Sequence, residues 1–171
     1  MLKVEAFTIK EAIEKVPTTN DPSSVTDIVF QVGLNDHRKE TYVPKEGTKA
    51  QRQKKEVREI QDKYTDMLFK YNNHFPNARM NAIGLPPISD SHMKINDMLH
   101  RLCNYTDSNY VDTSVFQDWN TGKLRSATMK DAIHYNEYGV KILAKEIRRN
   151  LYSTKNIGSG QLVILNMMAS Q

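Results

Sequence analysis

Two spacings of apolar residues alternate along this chain and divide it into short strands and longer helices. Residues 2–7 (LKVEAF) and 27–33 (DIVFQVG) are compact runs that predict strands, and the second is apolar enough to be buried in a parallel sheet. Residues 8–16 predict a helix, because their apolar residues recur at helical spacing. A loop with Pro44 and Gly47 is expected to follow the second strand.

The alternation continues through the rest of the chain, with helices predicted over 49–72, 91–105 and 136–152 and strands predicted over 78–85 and 110–116. The stripes expected to face the core are Val57, Ile60, Tyr64, Leu68 and Tyr71 in the long helix, and Val140, Leu143, Ile147 and Leu151 in the last one. Strands that alternate with helices predict an α/β domain with a parallel sheet. In such sheets the functional residues collect beyond the carboxyl ends of the strands.

Composition narrows the class of protein. The chain has 171 residues, 39% of them hydrophobic, which suits one domain of ordinary size. The sequence has no apolar run of membrane-spanning length, no visible secretory signal and a single cysteine, so we expect an intracellular, cytoplasmic protein. That residue, Cys103, lies in the apolar segment MLHRLC and is interpreted as a small core residue rather than a nucleophile.

The net charge is +4, and much of the excess lies in residues 49–63, KAQRQKKEVREIQDK. Such a run is either the solvated face of a helix or a surface for nucleic-acid phosphates, formed by Lys49, Lys54, Lys55 and Arg58. The sequence has no zinc-finger spacing, RNA-recognition signature, glycine-rich phosphate loop or metal-ligand cluster. Neither a cofactor nor a metal is therefore expected.

Two stretches carry side chains suited to catalysis. Asp131 and His134 lie on one short turn before the last helix, where the carboxylate can orient the imidazole as a general base. Helix capping is the alternative explanation of their spacing. Asn35 follows Gly33 at the end of the most buried strand, where its amide can donate to an oxyanion. The alternative there is a turn residue that tolerates an unusual backbone conformation.

Taken together, DIVFQVGLND and DAIHYNEYGVKILAKEI resemble two blocks of the SGNH hydrolases, the GDSL esterase and lipase superfamily. These blocks read hydrophobic strand, Gly-x-Asn-Asp, and then Asp-x-x-His-x-Asn-x-x-Gly before a terminal helix. The resemblance covers roughly residues 2–152 and is similar to the compact SGNH-like domains of some retroelements and invertebrate proteins.

The resemblance implies a flavodoxin-like three-layer α/β/α fold and hydrolysis of a small acyl ester by a serine esterase that needs no metal. It makes His134 the base, Asp131 its orienting partner and Asn35 an oxyanion-hole donor. Gly33, Asp36 and His37 are expected to line the same cleft.

The nucleophile of this family belongs to a Gly-Asp-Ser block after a central first strand, and no Gly-Asp-Ser occurs here. We interpret residues 1–152 as the hydrolase-like domain, beginning at the family's second strand, and residues 153–171 as a linker and an apolar tail. The slot of the missing strand should be filled, because it would leave unpaired backbone groups. LVILNMM, residues 162–168, has strand length, and Ser170 follows it in the position of a nucleophile.

The tail leaves several explanations open. A circularly permuted chain would use Ser170, whereas a strand could also fill the slot without a functional serine, pair with another chain or stay disordered. Ser89 and Ser91 are a minor alternative for the nucleophile. The chain is thus a serine esterase of carboxylic esters, or an inactive SGNH-like domain that binds nucleic acid or a protein partner. A flavodoxin-like cofactor domain would share the topology but lacks its phosphate-binding loop.

Overall fold

The computed structural model describes residues 2–4, 8–40, 46–153 and 161–166. Five parallel strands form one sheet in the order β1-β5-β2-β3-β4. The strands are β1 (Leu2–Val4), β2 (Val25–Gln31), β3 (Arg79–Ile83), β4 (Asn109–Val111) and β5 (Gln161–Asn166). The helices are α1 (Ile9–Glu14), α2 (Leu34–Glu40), α3 (Lys49–His74), α4 (Asp90–Tyr105) and α5 (Glu137–Ser153). The predicted α/β class with a parallel sheet is confirmed.

Helices cover both faces of the sheet. Successive side chains of a strand point to opposite sides, so a single strand contributes to the core on each face. Ile28 and Phe30 of β2 belong to a large core formed with α1, α3 and α4. Val29 belongs instead to a smaller core formed with α5 and with Phe116 and Tyr135, which lie between β4 and α5. The layers are therefore helix, sheet and helix, as the resemblance to the SGNH hydrolases implies.

Strand β5 lies between β1 and β2 and pairs in parallel with both. Leu2 is opposite Val163 on one side, and Gln31 is opposite Asn166 on the other. This double pairing satisfies backbone groups that would otherwise form two open edges in the middle of the sheet. The domain boundary at residue 152 stays a prediction, and Ser170 lies outside the described residues.

Three local predictions are wrong. Residues 34–40 were expected in a loop but form α2, whose polar sequence shows little apolar periodicity. The strand predicted over 110–116 ends at Val111, because the carboxylate of Asp112 accepts hydrogen bonds from the backbone N–H and the hydroxyl of Ser114 and turns the chain. Val140 is 52% exposed rather than buried, since α5 directs Gly139 and Leu143 inward.

Candidate active site

The turn after β2 carries the Gly-Leu-Asn-Asp sequence to the carboxyl edge of the sheet. Gly33 has a φ of 112°, which glycine adopts without strain, and the chain passes from strand to helix within this turn. Asn35 lies buried in the first turn of α2. With Leu85 and Pro86, Asn35 lines a narrow pocket between the carboxyl ends of β2 and β3, which we call the Asn35 pocket.

Asp36 fastens this turn to the start of α1. Its carboxylate oxygens lie 3.1 and 3.3 Å from the backbone nitrogen of Ile9, which donates to them. The contact satisfies an amide at a helix N-terminus, where negative charge is favourable. Asp36 therefore holds two connections of the carboxyl edge together, and its expected role in the cleft stays a prediction.

Asp131 and His134 form a hydrogen-bonded pair. Nδ1 of His134 lies 2.7 Å from Oδ2 and 2.9 Å from Oδ1 of Asp131. The backbone N–H groups of Ile133 and His134 donate to Oδ1 at 2.9 and 2.8 Å, so Asp131 caps the turn and also orients the ring. These bonds, that of the Ile133 amide first, lower the pKa of Asp131 from 3.8 to about 2. Because a carboxylate only accepts, Nδ1 carries a proton and Nε2 is the basic atom of the neutral ring.

Nε2 of His134 is buried and has no hydrogen-bond partner within the described ranges. Burying a polar atom without a partner costs free energy, so the packing of the neighbouring residues must hold the ring in this position. Ile133 packs against the large core and Tyr135 belongs to the smaller one, which places His134 where the two cores meet. A basic nitrogen free of other bonds is able to take a proton from a hydroxyl.

Asn136 and Gly139 shape the loop that presents His134. The Asn136 side chain accepts from the Gly139 N–H at 2.9 Å and donates to the Ala127 carbonyl at 2.7 Å. The backbone N–H of Asn136 donates to the Thr128 carbonyl at 2.9 Å. A Cβ at Gly139 would lie 2.2 Å from that same carbonyl oxygen, so glycine is needed for this close approach.

The serines of the β3–α4 connection have structural partners. Ser89 caps α4, because its hydroxyl accepts from the His92 N–H at 3.2 Å. The Ser91 hydroxyl accepts from Nε2 of Gln53 at 3.2 Å. Neither contact involves His134, and Ser170 is not among the residues that the structure describes.

The predicted basic surface is exposed on α3, where Lys49, Lys54, Lys55 and Arg58 all face solvent. Lys55 lies 3.9 Å from Glu59, one turn further along the helix. Nucleic-acid binding stays a prediction. In the described part of the chain, no group of His, Cys, Asp and Glu could hold a metal ion, and no helix is long and apolar enough to cross a membrane.

Sequence reasoning missed Glu56 and His92, which are buried beside His37. Nδ1 of His37 hydrogen-bonds to Oε1 of Glu56, and the ring centroids of His37 and His92 are 5.0 Å apart. The sequence did contain a signal for Glu56, because it precedes Ile60 and Tyr64 by one and two helical turns and shares their buried stripe.

A comparison with known proteins decides the family. The model of the GDSL-like lipase/acylhydrolase family matches residues 9–147. The chain belongs to this family. The predicted SGNH membership is thus confirmed, and an acylhydrolase-type function is supported for this GDSL protein.

A solved structure shares the fold of this GDSL protein. It is described as "The structure of a putative platelet activating factor from Streptococcus pneumonia", and the two chains superpose with a TM-score of 0.66 at 14% identity. The match covers 85% of this chain and 69% of that one, and at this identity it shows the fold alone. No curated protein matches the chain.

Proposed function

We propose that this GDSL protein is a serine esterase that hydrolyses a small carboxylic ester, with Ser170 as nucleophile and His134 as base. Asp131 orients and stabilises the imidazole, and Asn35 donates to the oxyanion. The observation that carries the proposal is the Asp131–His134 pair, whose Nε2 is buried and free of hydrogen bonds within the described ranges. In a member of an acylhydrolase family, that arrangement suits a general base.

The register of β5 supports Ser170 as the nucleophile. Asn166 ends β5 opposite Gln31, so the chain leaves this strand close to the Gly33 turn that carries Asn35. Ser170 follows Asn166 by four residues in the sequence. Four residues reach at most ~13 Å, which limits how far Ser170 can lie from the end of β5. Ser89 and Ser91 are less suited to the role, since both hydroxyls have structural partners.

The reaction follows from these assignments. The Ser170 hydroxyl oxygen attacks the acyl carbonyl carbon while Nε2 of His134 takes its proton. Asp131 stays ionised because its pKa is about 2, and it stabilises the imidazolium through Nδ1. The Asn35 amide donates to the oxyanion. His134 then protonates the departing alcohol, and water attacks the acylated serine by the same route to release the acid.

Hydrolysis of a short-chain nitrophenyl ester tests the proposal. Ser170→Ala and His134→Ala should each lower kcat by about 10⁴-fold or more. Asn35→Ala should lower it by about 10²–10³-fold, as is typical for an oxyanion donor. Ser23→Ala is the matched control, since Ser23 is exposed before β2, and should keep wild-type activity. Wild-type activity in Ser170→Ala would exclude that serine, and wild-type activity in His134→Ala would exclude the mechanism.

The exposed basic residues of α3 keep nucleic-acid binding as a second proposal. It predicts oligonucleotide binding that weakens steeply as salt rises and is lost when Lys49, Lys54, Lys55 and Arg58 are all changed to alanine. The His134→Ala chain should bind as well as wild type. Absence of binding at low salt would remove this proposal without affecting the esterase.

A further inference from the structure

A partly exposed histidine, His37, and a buried one, His92, lie beside the Asn35 pocket, and the esterase mechanism uses neither of them. His37 belongs to α2, two residues after Asn35, and His92 belongs to the first turn of α4. Their rings meet edge to face, with an interplanar angle of 87° and centroids 5.0 Å apart. His37 is hydrogen-bonded to Glu56 of α3, and His92 is hydrogen-bonded to the carbonyl of Pro86. The contact between the two rings joins these two sides of the pocket.

Glu56 fixes the first side. It is 8% exposed on a helix whose neighbouring charged residues face water, and a buried carboxylate needs a partner. That partner is Nδ1 of His37, which forms a hydrogen bond with Oε1 of Glu56. The backbone N–H of His37 donates to the Gly33 carbonyl at 3.0 Å, so His37 belongs to the turn that carries Asn35. The hydrogen bond from His37 to Glu56 therefore fastens this turn to α3.

His92 fixes the second side. Its Nδ1 lies 2.7 Å from the carbonyl oxygen of Pro86, a residue that lines the Asn35 pocket, and it is the donor because a carbonyl only accepts. Burial lowers the pKa of His92 and the nearby His37 lowers it further, against the Pro86 carbonyl and Glu56, which raise it. The groups from packed elements that act on this ring are therefore His37 of α2 and Glu56 of α3.

We propose that Glu56, His37 and His92 are positioning residues that clamp the two sides of the Asn35 pocket together and release them when His92 takes up a proton. The inference rests on the proposed function, in which Asn35 stabilises the oxyanion. A proton on His92 places a positive charge against the His37 ring, whose coulombic interaction disfavours the charged form of His92. The resulting repulsion separates α2 from the Pro86 segment.

An NMR titration between pH 8 and 5 tests the clamp without any catalysis. It follows the side-chain amide of Asn35 together with the imidazole signals of His37 and His92 in the wild-type chain, while circular dichroism verifies folding. The Asn35 amide should shift with the same midpoint as His92. In His92→Asn, whose amide can still donate to Pro86 but does not titrate, this transition should disappear. His100→Asn, an exposed histidine of the same helix, should keep it.

Kinetics supply a second readout. Glu56→Gln keeps the shape but removes the charge, so it should lower kcat about tenfold with KM changed less than twofold, since Asn35 acts in the transition state. An Asn35 amide that does not follow the His92 titration in the wild-type chain would overturn the clamp, whether or not the variants fold. An inactive chain whose Asn35 amide does follow His92 would keep the clamp and refute the esterase.

Discussion

Gly139→Ala is expected to destabilise the chain, although alanine normally favours a helix by about 1 kcal/mol over glycine. The added Cβ would lie 2.2 Å from the Thr128 carbonyl oxygen, so the backbone of one segment has to move. Overpacking of this kind costs about 1–3 kcal/mol. The same carbonyl accepts the 2.9 Å hydrogen bond from the Asn136 N–H, and its loss costs about 1 kcal/mol more. The expected net loss in unfolding free energy is ~1–3 kcal/mol.

Urea unfolding measures this loss as a lower midpoint with an unchanged slope. The melting temperature should fall by roughly 2–4 °C for each kcal/mol in a domain of this size. Val140→Ala is the matched control on the next residue, and because Val140 is half exposed it should stay within about 0.5 kcal/mol of wild type. A Gly139→Ala chain at least as stable as Val140→Ala would refute the close approach of this loop to α5.

Four further outcomes follow from the geometry. The Asp131 carboxyl, with a pKa of about 2, should show no NMR titration between pH 4 and 8, and its contribution to stability should be lost only as pH falls from 3.8 towards 2. A titration midpoint of this carboxyl above pH 3.8 would contradict its hydrogen bonds. Burial raises the pKa of Cys103 to about 12, so a disulfide reagent at pH 8 should react only after unfolding, and rapid native labelling would contradict that burial. Asn96→Ala removes the 2.6 Å acceptor of the buried Leu85 N–H and should cost about 1–3 kcal/mol, which an unchanged urea midpoint would exclude. The lowered pKa of His92 means that the unfolded chain binds a proton that the native chain does not, so stability should fall as pH drops below 6.5, and His92→Asn should reduce that slope.

The elements that sequence predicts well here are those whose pattern is local and long. Helix α3 was expected over 49–72 and spans Lys49–His74, and β2 was expected over 27–33 and spans Val25–Gln31. The Asp131–His134 contact was also accessible, because both residues lie on one turn and their bonds are local. Each of these features depends on neighbours a few residues away.

The features that sequence did not reveal depend on distant partners. The cluster of His37, Glu56 and His92 joins three helices, and only their packing brings the rings and the carboxylate together. Val140 was assigned to the core because its spacing fits the stripe of α5. The close approach of Gly139 to Thr128 sets the rotation of that helix, which the apolar pattern alone does not encode.

Reaction of the folded chain with a fluorophosphonate, followed by peptide mapping, tests the central claim most directly, because this reagent phosphonylates serines that a histidine activates, with loss of fluoride. We expect labelling at Ser170 that is lost in His134→Ala and retained in Ser23→Ala. Absence of labelling in a folded chain, or labelling of another serine that persists in His134→Ala, would contradict the account.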